Sequence, residues 1–300
     1  MSKLIKYLTI LWQVVLGNLM KLKVWFDIFL RRKVTLSDNV VPNLIVSLTS
    51  YGKRVSGGGI VYTLHSLLTQ KCRPERIILW LGQDEFNDAN LPATLQFMMR
   101  QGIEVRFCKD IRSYTKLLPT LELTPEYDVI TVDDDIYYGN NLVEVLYRAH
   151  EQNPGCIVCM GCRIVELGDG NTLLPYATWQ RNDYMKQEFR ARYVVPLGVY
   201  GVLYPAGIMG DEVMQIELAQ RLCPHADDLW FFVMGLRHRV EKYVCQFDMV
   251  AHYPTDLIRQ TLTRDRLFAE NVTLNANDEQ LANLISYFGL DITEWNSSPK

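Results

Sequence analysis

Three consecutive carboxylates, Asp133, Asp134 and Asp135, directly follow the apolar residues 129–132. Three like charges at this spacing repel one another, and each loses hydration beside a buried strand. A hard divalent cation such as Mg²⁺ or Mn²⁺ offsets both costs, because it prefers oxygen ligands and commonly shares them with substrate phosphates. The pattern therefore predicts a metal–diphosphate site. The same acids could instead cap the helix expected to start near Asn140, since Asp and Asn are common at helix starts.

A second acidic pair, Asp227 and Asp228, opens an apolar helical run over residues 229–236. One acid at a helix start is favoured by capping and by the helix dipole. Two adjacent acids cannot both point the same way, so the other is left for chemistry, and a positioned carboxylate can act as a general base.

Three cysteines, Cys156, Cys159 and Cys162, have a spacing that also occurs among iron–sulfur ligands. The surrounding residues favour a strand, on which a spacing of three places Cys156 and Cys159 on opposite faces. We therefore expect buried core cysteines. The chain has seven cysteines and no disulfide framework pattern, which is typical of reduced cytoplasmic thiols.

The charge is unevenly distributed along the chain. The net charge of −3 divides into +6 for residues 1–36 and −9 for the remainder, and so acidic a body argues against a nucleic-acid partner. Residues 4–20 carry apolar side chains at helical spacing, Trp12 among them, and Trp25 and Phe29 continue this apolar pattern. No small-residue cleavage site follows. A basic amphipathic helix of this kind suits an anionic membrane surface; alternatively it packs on the catalytic domain or on a second subunit.

Strand and helix signals alternate from residue 43 onward. Strands are expected over residues 43–49, 76–81, 103–108 and 129–132 and around Ile157, and helices over residues 60–70, 91–100, 116–123 and 141–151. This alternation indicates an α/β fold with a mostly parallel sheet flanked by helices. Right-handed crossovers bring the carboxyl ends of parallel strands to one edge, where we expect residues 50–54, 82–84, 109–110 and 133–135 to meet. Periodicity is lost between about residues 165 and 205, which predicts binding loops and an antiparallel extension.

Four blocks of sequence resemble the nucleotide-sugar-dependent glycosyltransferases of the GT-A (Rossmann-like) fold. They are VSLTSYGKR (residues 46–54), SYTKLLP (113–119), ITVDDDIYY (130–138) and CPHADDLWF (223–231). The segment GVYGVLYP (198–205) is similar to the Gly-rich acceptor-side strand of these enzymes. The order and spacing of the blocks, over roughly residues 43–255, look most like the bacterial enzymes of O-antigen, lipopolysaccharide and capsule synthesis.

The resemblance implies roles for individual residues of the acidic loop. The three aspartates match the D-x-D motif, so that Asp133 and Asp135 are expected to hold Mn²⁺ or Mg²⁺ and Asp134 to contact the donor. His252 corresponds to a third metal ligand in some branches of the fold, although a lone His after a strand is more often structural.

Further roles fall on the neighbouring strand ends and on the second acidic pair. The resemblance implies donor contacts for Thr49, Tyr51, Arg54, Asp110 and Lys116; a surface position is the alternative for Lys116. Related inverting enzymes take their general base from the second acid of a pair, here Asp228. Many of them have Glu-Asp where this chain has Asp-Asp, which leaves Asp227 as the alternative.

The resulting expectation is a metal-dependent glycosyltransferase. Residues 1–36 form a membrane-surface or oligomer helix, 40–265 the catalytic domain and 266–300 a helical tail. The partners are a nucleotide-sugar donor, a saccharide or lipid-linked acceptor and the inner face of the cell membrane, with an oligomer possible. Two alternatives stay open: a nucleotidyl- or phosphoryl-transfer enzyme, for which Gly57-Gly58-Gly59 is the candidate phosphate loop, and a non-catalytic membrane-associated scaffold of the same fold.

Overall fold

The computed structural model describes residues 3–182, 185, 187–255 and 276–295, with the backbone alone over residues 3–14. The strands are β1 (Val40–Ser50), β2 (Arg73–Gly82), β3 (Ile103–Cys108), β4 (Asp128–Thr131), β5 (Ile136–Tyr138), β6 (Cys156–Cys159), β7 (Cys162–Ile164), β8 (Phe189–Ala191), β9 (Val194–Pro196), β10 (Val202–Tyr204), β11 (Glu241–Val244) and β12 (His252–Pro254). Eight of them form one sheet in the order β3-β2-β1-β4-β10-β6-β11-β8, and two small sheets pair β12 with β5 and β7 with β9.

Six strands of the large sheet run in the same direction. The pairs β3–β2, β2–β1, β1–β4 and β6–β11 are parallel, whereas β10 and β8 run antiparallel to their neighbours. The expected mostly parallel α/β fold is therefore confirmed. From β1 the chain proceeds outward through β2 and β3 and then returns to β4 on the other side of β1. This reversal of strand order is where ligands bind in open α/β sheets.

Helices cover both faces of the sheet. They are α1 (Lys3–Phe29), α2 (Gly52–Ser56), α3 (Ile60–Leu68), α4 (Ala93–Arg100), α5 (Leu118–Leu123), α6 (Leu142–Gln152), α7 (Ile216–Leu222), α8 (Asp227–Arg237) and α9 (Ala276–Phe288), with short 3₁₀ turns such as Arg112–Lys116. Buried apolar side chains form two large hydrophobic core clusters. Neighbouring residues of one strand belong to different clusters, as Val129 and Ile130 of β4 do, because strand side chains alternate between the two faces of the sheet. Residues of α3, α4 and α6 fill one cluster and residues of α5, α8 and α9 the other.

The alternative in which the aspartates cap a helix is excluded, because α6 starts at Leu142 with Asn141 as its N-cap, and β5 separates it from the acidic loop. The expected short helix over residues 116–123 is present as α5, which starts two residues later, at Leu118, after a 3₁₀ turn that ends at Lys116.

The strand expected around Ile157 and through the three cysteines is interrupted at Gly161. It divides into β6 and β7, which belong to different sheets. A Cβ on Gly161 would lie 2.1 Å from the ring of Tyr200, so only glycine lets that ring pass. The cysteines Cys156, Cys159 and Cys162 are buried, as expected of core residues.

Helix α1 has two different faces. Val24 is fully buried, and Asp27 lies 3.7 Å from His65 Nε2 on α3, so this face packs on the α/β body. The opposite face exposes apolar side chains at helical spacing: Val15, Leu19, Leu22, Trp25, Phe26 and Phe29. Trp12, also expected on this stripe, lies outside the described side chains. Among the described residues no helix is long and apolar enough to cross a membrane.

The C-terminal segment joins the second core cluster. Leu281 and Leu284 of α9 and Trp295 are buried in the same cluster as α8, and the ring of Phe288 lies 6.1 Å from that of Trp230. Of the expected tail over residues 266–300, residues 266–275 and 296–300 lie outside the described part.

We expect Gly161→Ala to lower the free energy of unfolding by about 1–3 kcal/mol, the usual cost of overpacking a filled core. Urea denaturation measures the loss. Gly17→Ala is the matched control, because its Cβ would meet only Pro254 O at 3.7 Å. Alanine in a helix interior gains about 1 kcal/mol over glycine, so this control should be neutral or stabilising. Equal effects of both substitutions would contradict the packing role of Gly161.

Candidate active site

The reversal of strand order brings the end of β1 against the loop after β4. Ser50 Oγ donates a 2.5 Å hydrogen bond to Asp134 Oδ2, and Arg54 Nη1 donates to Asp134 Oδ1. Arg54 Nη2 lies 3.3 Å from Asp135 Oδ2. From α3, Thr63 Oγ1 donates to the Asp134 carbonyl at 2.8 Å. Both carboxylate oxygens of Asp134 are thus engaged by protein groups.

Burial dominates the electrostatics of this contact. It raises the pKa of Asp134 above its usual value, although the Arg54 guanidinium and the Ser50 hydroxyl oppose the shift. Burial alone would lower the pKa of Arg54, but Asp134 and Asp135 outweigh it and raise that pKa. Asp134 is therefore a structural anchor that fixes Arg54 at the edge of the sheet, with Asp133 and Asp135 on either side.

Lys116 joins the two acidic groups. Its ammonium lies 3.1 Å from Asp133 Oδ1 and 3.0 Å from Asp227 Oδ2 at the start of α8. The side chain is buried, which excludes the alternative of a surface lysine. Burial alone would lower the pKa of Lys116, yet Asp133 and Asp227 raise it well above its usual value. The buried ammonium therefore stays charged.

Asp228 is the acid that remains open to chemistry. It is half-buried, and the backbone N–H of Gly198 donates to its Oδ1 at 3.2 Å and to its Oδ2 at 3.3 Å. Burial, together with the neighbouring Asp227, raises the pKa of Asp228 to about 7, while Lys116 opposes the shift. A carboxyl with a pKa near the working pH is suited to accept a proton as a general base.

Gly198 has no room for a side chain. A Cβ at this position would lie 2.6 Å from Lys116 Nζ and 3.2 Å from Asp228 Oδ1. Glycine here lets the backbone approach both charged groups. Tyr138 supports the same arrangement, since its hydroxyl accepts from Asp133 N at 3.0 Å and donates to Val199 O at 2.9 Å.

The cluster carries more negative than positive charge. Five carboxylates, those of residues 133–135, 227 and 228, face two cations, Arg54 and Lys116. Asp133 and Asp135 keep 34% and 19% of their side chains exposed and offer hard oxygen donors. No group of three or more potential ligands assembles among the described residues. This donor set fits a cation such as Mg²⁺, which takes one or two carboxylates and completes its shell with phosphate and water.

Three other expected donor contacts lie around this edge. Tyr51 is 61% exposed, and the Arg54 guanidinium lies over its ring, 5.4 Å from the centroid. Thr49 Oγ1 is occupied by the carbonyl of Trp80 at 3.1 Å. Asp110 is exposed after β3 and accepts from Arg112 N at 2.7 Å. Their roles remain predictions.

His252 is held by the backbone. Its Nδ1 lies 2.9 Å from Val250 O and its Nε2 lies 3.0 Å from Tyr200 O. Burial lowers the pKa of His252, although the contacts with the Tyr200 and Val250 carbonyls act to raise it. A metal ligand needs a free ring nitrogen. The predicted role would therefore require His252 to release Tyr200 or Val250.

The glycines at residues 57–59 do not form a phosphate cradle. Gly57 N donates to Lys53 O at 2.9 Å and Gly58 N to Val55 O at 3.0 Å, so both amides are used within the turn. A Cβ on Gly57 would lie 2.7 Å from Lys53 O, and Gly58 has φ +75°. The steric contact at Gly57 and the positive φ of Gly58 therefore explain why glycine occupies these two positions.

Sequence reasoning missed Ser50, Tyr138 and Gly198 as site residues. Ser50 stands inside the block VSLTSYGKR, and Gly198 opens the segment GVYGVLYP, so both lay in segments already singled out. Tyr138 closes the block ITVDDDIYY, but its role could not be predicted, because its hydroxyl bridges Asp133 to Val199, which is distant in sequence.

No protein-family model matches the sequence, and no curated protein matches it at a significant level. Two solved structures of S. aureus TarS 1–349 are similar in fold. The first has a TM-score of 0.47, 14% identity and coverage of 83% of this chain and 73% of that chain. The second, in complex with UDP, has a TM-score of 0.44 with the same identity and coverage. The similarity in both cases is in the path of the backbone.

We expect Lys116→Met to destabilise the protein by about 3–5 kcal/mol, because it leaves the buried carboxylate of Asp227 and the partly exposed carboxylate of Asp133 without their counter-ion. The exposed Lys109→Met is the matched control and should be nearly neutral. Urea unfolding at pH 7 measures both. Adding Asp227→Asn to Lys116→Met should restore much of the loss; a double variant as unstable as the single one would contradict the ion-pair account.

Proposed function

We propose that the chain is a glycosyltransferase that moves a sugar from a nucleotide-diphosphate donor to a saccharide or lipid-linked acceptor. One observation carries the proposal: at the switch point of the sheet Lys116 joins Asp133 of the carboxylate loop to Asp227, and the next residue, Asp228, is a carboxyl whose pKa burial and Asp227 raise to about 7. The resemblance of the four sequence blocks supports the pathway, bacterial surface polysaccharide synthesis at the inner membrane face.

The proposed reaction is a displacement at the anomeric carbon of the donor sugar. The acceptor hydroxyl oxygen forms the new bond to that carbon, the bond from the carbon to the diphosphate oxygen breaks, and the hydroxyl proton passes to Asp228. The nucleoside diphosphate leaves with the bonding electron pair. Arg54, held by Asp134, faces the developing negative charge, and the exposed ring of Tyr51 offers a contact for the base.

The proposal includes a divalent cation because the carboxylate cluster carries excess negative charge. A cluster of five carboxylates and two cations repels an anionic diphosphate unless a further positive charge is present. Asp133 and Asp135 would hold Mn²⁺ or Mg²⁺, which when bound stabilises the leaving diphosphate as a Lewis acid. His252 is not needed for this set.

The alternative of nucleotidyl or phosphoryl transfer has less support. It shares the strand-end carboxylates, but it requires donors that cradle phosphates, and the amides of Gly57 and Gly58 are already bonded within their turn. A non-catalytic scaffold gives no reason for a half-buried carboxyl, Asp228, that the Gly198 backbone holds beside the buried Asp227–Lys116 ion pair.

Membrane attachment through α1 is part of the proposal. One face of the helix is occupied by α3, whereas the exposed face carries the apolar stripe with Trp25 stacked on Phe29 at 5.1 Å. Residues 1–36 carry a charge of +6. Because Thr63 of the same α3 holds the Asp134 carbonyl, a docked helix would bring the acidic loop close to lipid-linked acceptors. An interfacial helix with a basic border binds anionic lipid.

We expect Asp228→Asn to lower turnover by about two to four orders of magnitude, the usual contribution of a general base, with donor affinity unchanged. In the wild type kcat/KM should rise with pH through about 7, because the base must be deprotonated, and the variant should lack this rise. The exposed Asp88→Asn is the matched control. Equal losses of donor affinity and turnover would instead assign Asp228 a binding or structural role.

Replacing Asp133 and Asp135 with Asn should abolish transfer and remove the metal dependence of nucleoside-diphosphate binding. Calorimetric titration with and without Mn²⁺ measures this dependence. Asp38→Asn, an exposed acid before β1, should leave it intact. Transfer that survives exhaustive chelation in the wild type would show the metal role to be wrong.

Full-length protein should float with anionic vesicles at low salt. Deleting residues 1–34 should abolish flotation, and so should exchanging Leu22, Trp25 and Phe29 for Gln, which leaves every charge in place. Exchanging the basic Arg31, Arg32 and Lys33 for Gln should weaken binding mainly at low salt, since that part is screened. If full-length protein stays at the bottom of the gradient, the exposed stripe serves another contact, such as an oligomer.

A further inference from the structure

The start of α8, which carries Asp227 and Asp228, has no capping side chain. Its N-cap residue is Ala226, with φ −134° and ψ 73°. Ser, Thr, Asp or Asn is usual at this position, because a side-chain oxygen there accepts from the free N–H groups of the first helical turn. The two acids that follow are engaged elsewhere, Asp227 with Lys116 and Asp228 with Gly198 N. The position of the candidate base must therefore be fixed by contacts from outside its own helix.

The 3₁₀ turn that contains Tyr114 supplies one such contact. Tyr114 is fully buried, and its hydroxyl donates to Cys223 O at 2.5 Å. Its ring packs edge-on against Phe231 of α8, with 6.0 Å between the centroids. Burial raises the pKa of Tyr114, so the hydroxyl keeps the proton that it donates. The Cys223 thiol in turn donates to Ala226 O at 3.0 Å, which links the first and last residues of the connection 223–226.

The C-terminal helix α9 supplies a second contact. Gln280 is 4% exposed, and its Oε1 accepts from His225 N at 2.8 Å. Its Nε2 donates to Ala276 O at 3.0 Å, so both ends of the amide are engaged and its orientation is fixed. The connection 223–226 is thus held at two backbone groups by side chains that lie 109 and 55 residues away in sequence.

We propose that Tyr114 and Gln280 are positioning residues for the general base Asp228. The inference rests on the proposed function. By holding the backbone of residues 223–226, the two side chains take the place of the absent helix cap and determine where α8 begins. They thereby place the Asp228 carboxylate against Gly198 N and within reach of the acceptor hydroxyl. The C-terminal helix is then part of the active site, because a displacement of about 1 Å in a reacting group can cost about a hundredfold in rate.

The kinetic test uses hydrolysis of UDP-glucose and UDP-N-acetylglucosamine by full-length protein with Mn²⁺, with water in place of the acceptor. Tyr114→Phe removes only the hydroxyl, and Gln280→Met removes the acceptor oxygen at similar length. Each should lower kcat about tenfold or more and leave the KM of the donor unchanged. Gln280→Glu restores an acceptor oxygen and should recover most of the turnover. The matched control, Thr124→Val, loses a buried hydroxyl bond to Thr120 O at 2.9 Å and should change neither constant.

Amide hydrogen exchange at Gly198 provides a second readout, which needs no turnover. The N–H of Gly198 donates to Asp228, so a displaced base should speed exchange there in Tyr114→Phe and Gln280→Met but not in Thr124→Val. Exchange that stays at the wild-type rate in both variants overturns the inference, while the proposed function stands. A change confined to KM assigns the two residues to donor binding and also overturns it. If wild type hydrolyses neither nucleotide sugar, that result counts against the proposed function alone, and the exchange decides the inference.

Discussion

The buried ammonium of Lys116 is the contact on which the rest of the site depends. It lies within 3.1 Å of Asp133, after β4, and of Asp227, at the start of α8, so one cation fastens two halves of the cleft that are 94 residues apart in sequence. Asp227 is buried, so its charge needs a partner, and Asp133 brings a second negative charge to the same ammonium. The positive charge of Lys116 offsets both the burial of Asp227 and the repulsion between the two acids.

This arrangement also explains why the acids within each group differ in burial and in role. Asp134 and Asp227 are buried and engaged by cations, and they hold Arg54 and Lys116 in place. Their neighbours Asp133, Asp135 and Asp228 remain accessible. The accessible acids are positioned by the buried ones. The excess of negative charge that results disfavours the free protein, and the divalent cation that we propose would offset it. Functional sites commonly retain such unfavourable charge.

Features with a short-range signal were predicted well from sequence. The bounds of β3 agree to the residue, and the acidic loop falls at the expected edge, because side-chain alternation and right-handed crossovers fix where parallel strands end. The apolar stripe of α1 was likewise visible as a helical period. Contacts between distant segments were not predictable. The placing of Lys116 between two acids depends on how α8 packs on the sheet, and neither lysine nor acid carries a local mark of it.

The interruption of the strand at Gly161 is another feature that could not be predicted from the sequence. Residues 156–165 have the composition of one strand, and the ring of Tyr200, which no local signal places there, packs against Gly161 where the chain divides. The antiparallel β10 lies within the region where an antiparallel extension was expected. Its position between β4 and β6 could not be predicted from its three buried residues.

The nature of the bond that breaks in the donor tests the central claim most directly. Purified protein is incubated with Mn²⁺ and a panel of nucleotide sugars, and the nucleotide product is identified by chromatography and mass spectrometry. Cleavage at the anomeric carbon releases a nucleoside diphosphate from at least one donor, and this is the product that we predict. Release of a nucleoside monophosphate with a sugar phosphate would mean attack at phosphorus, and it would contradict the assignment of the acidic cleft to glycosyl transfer.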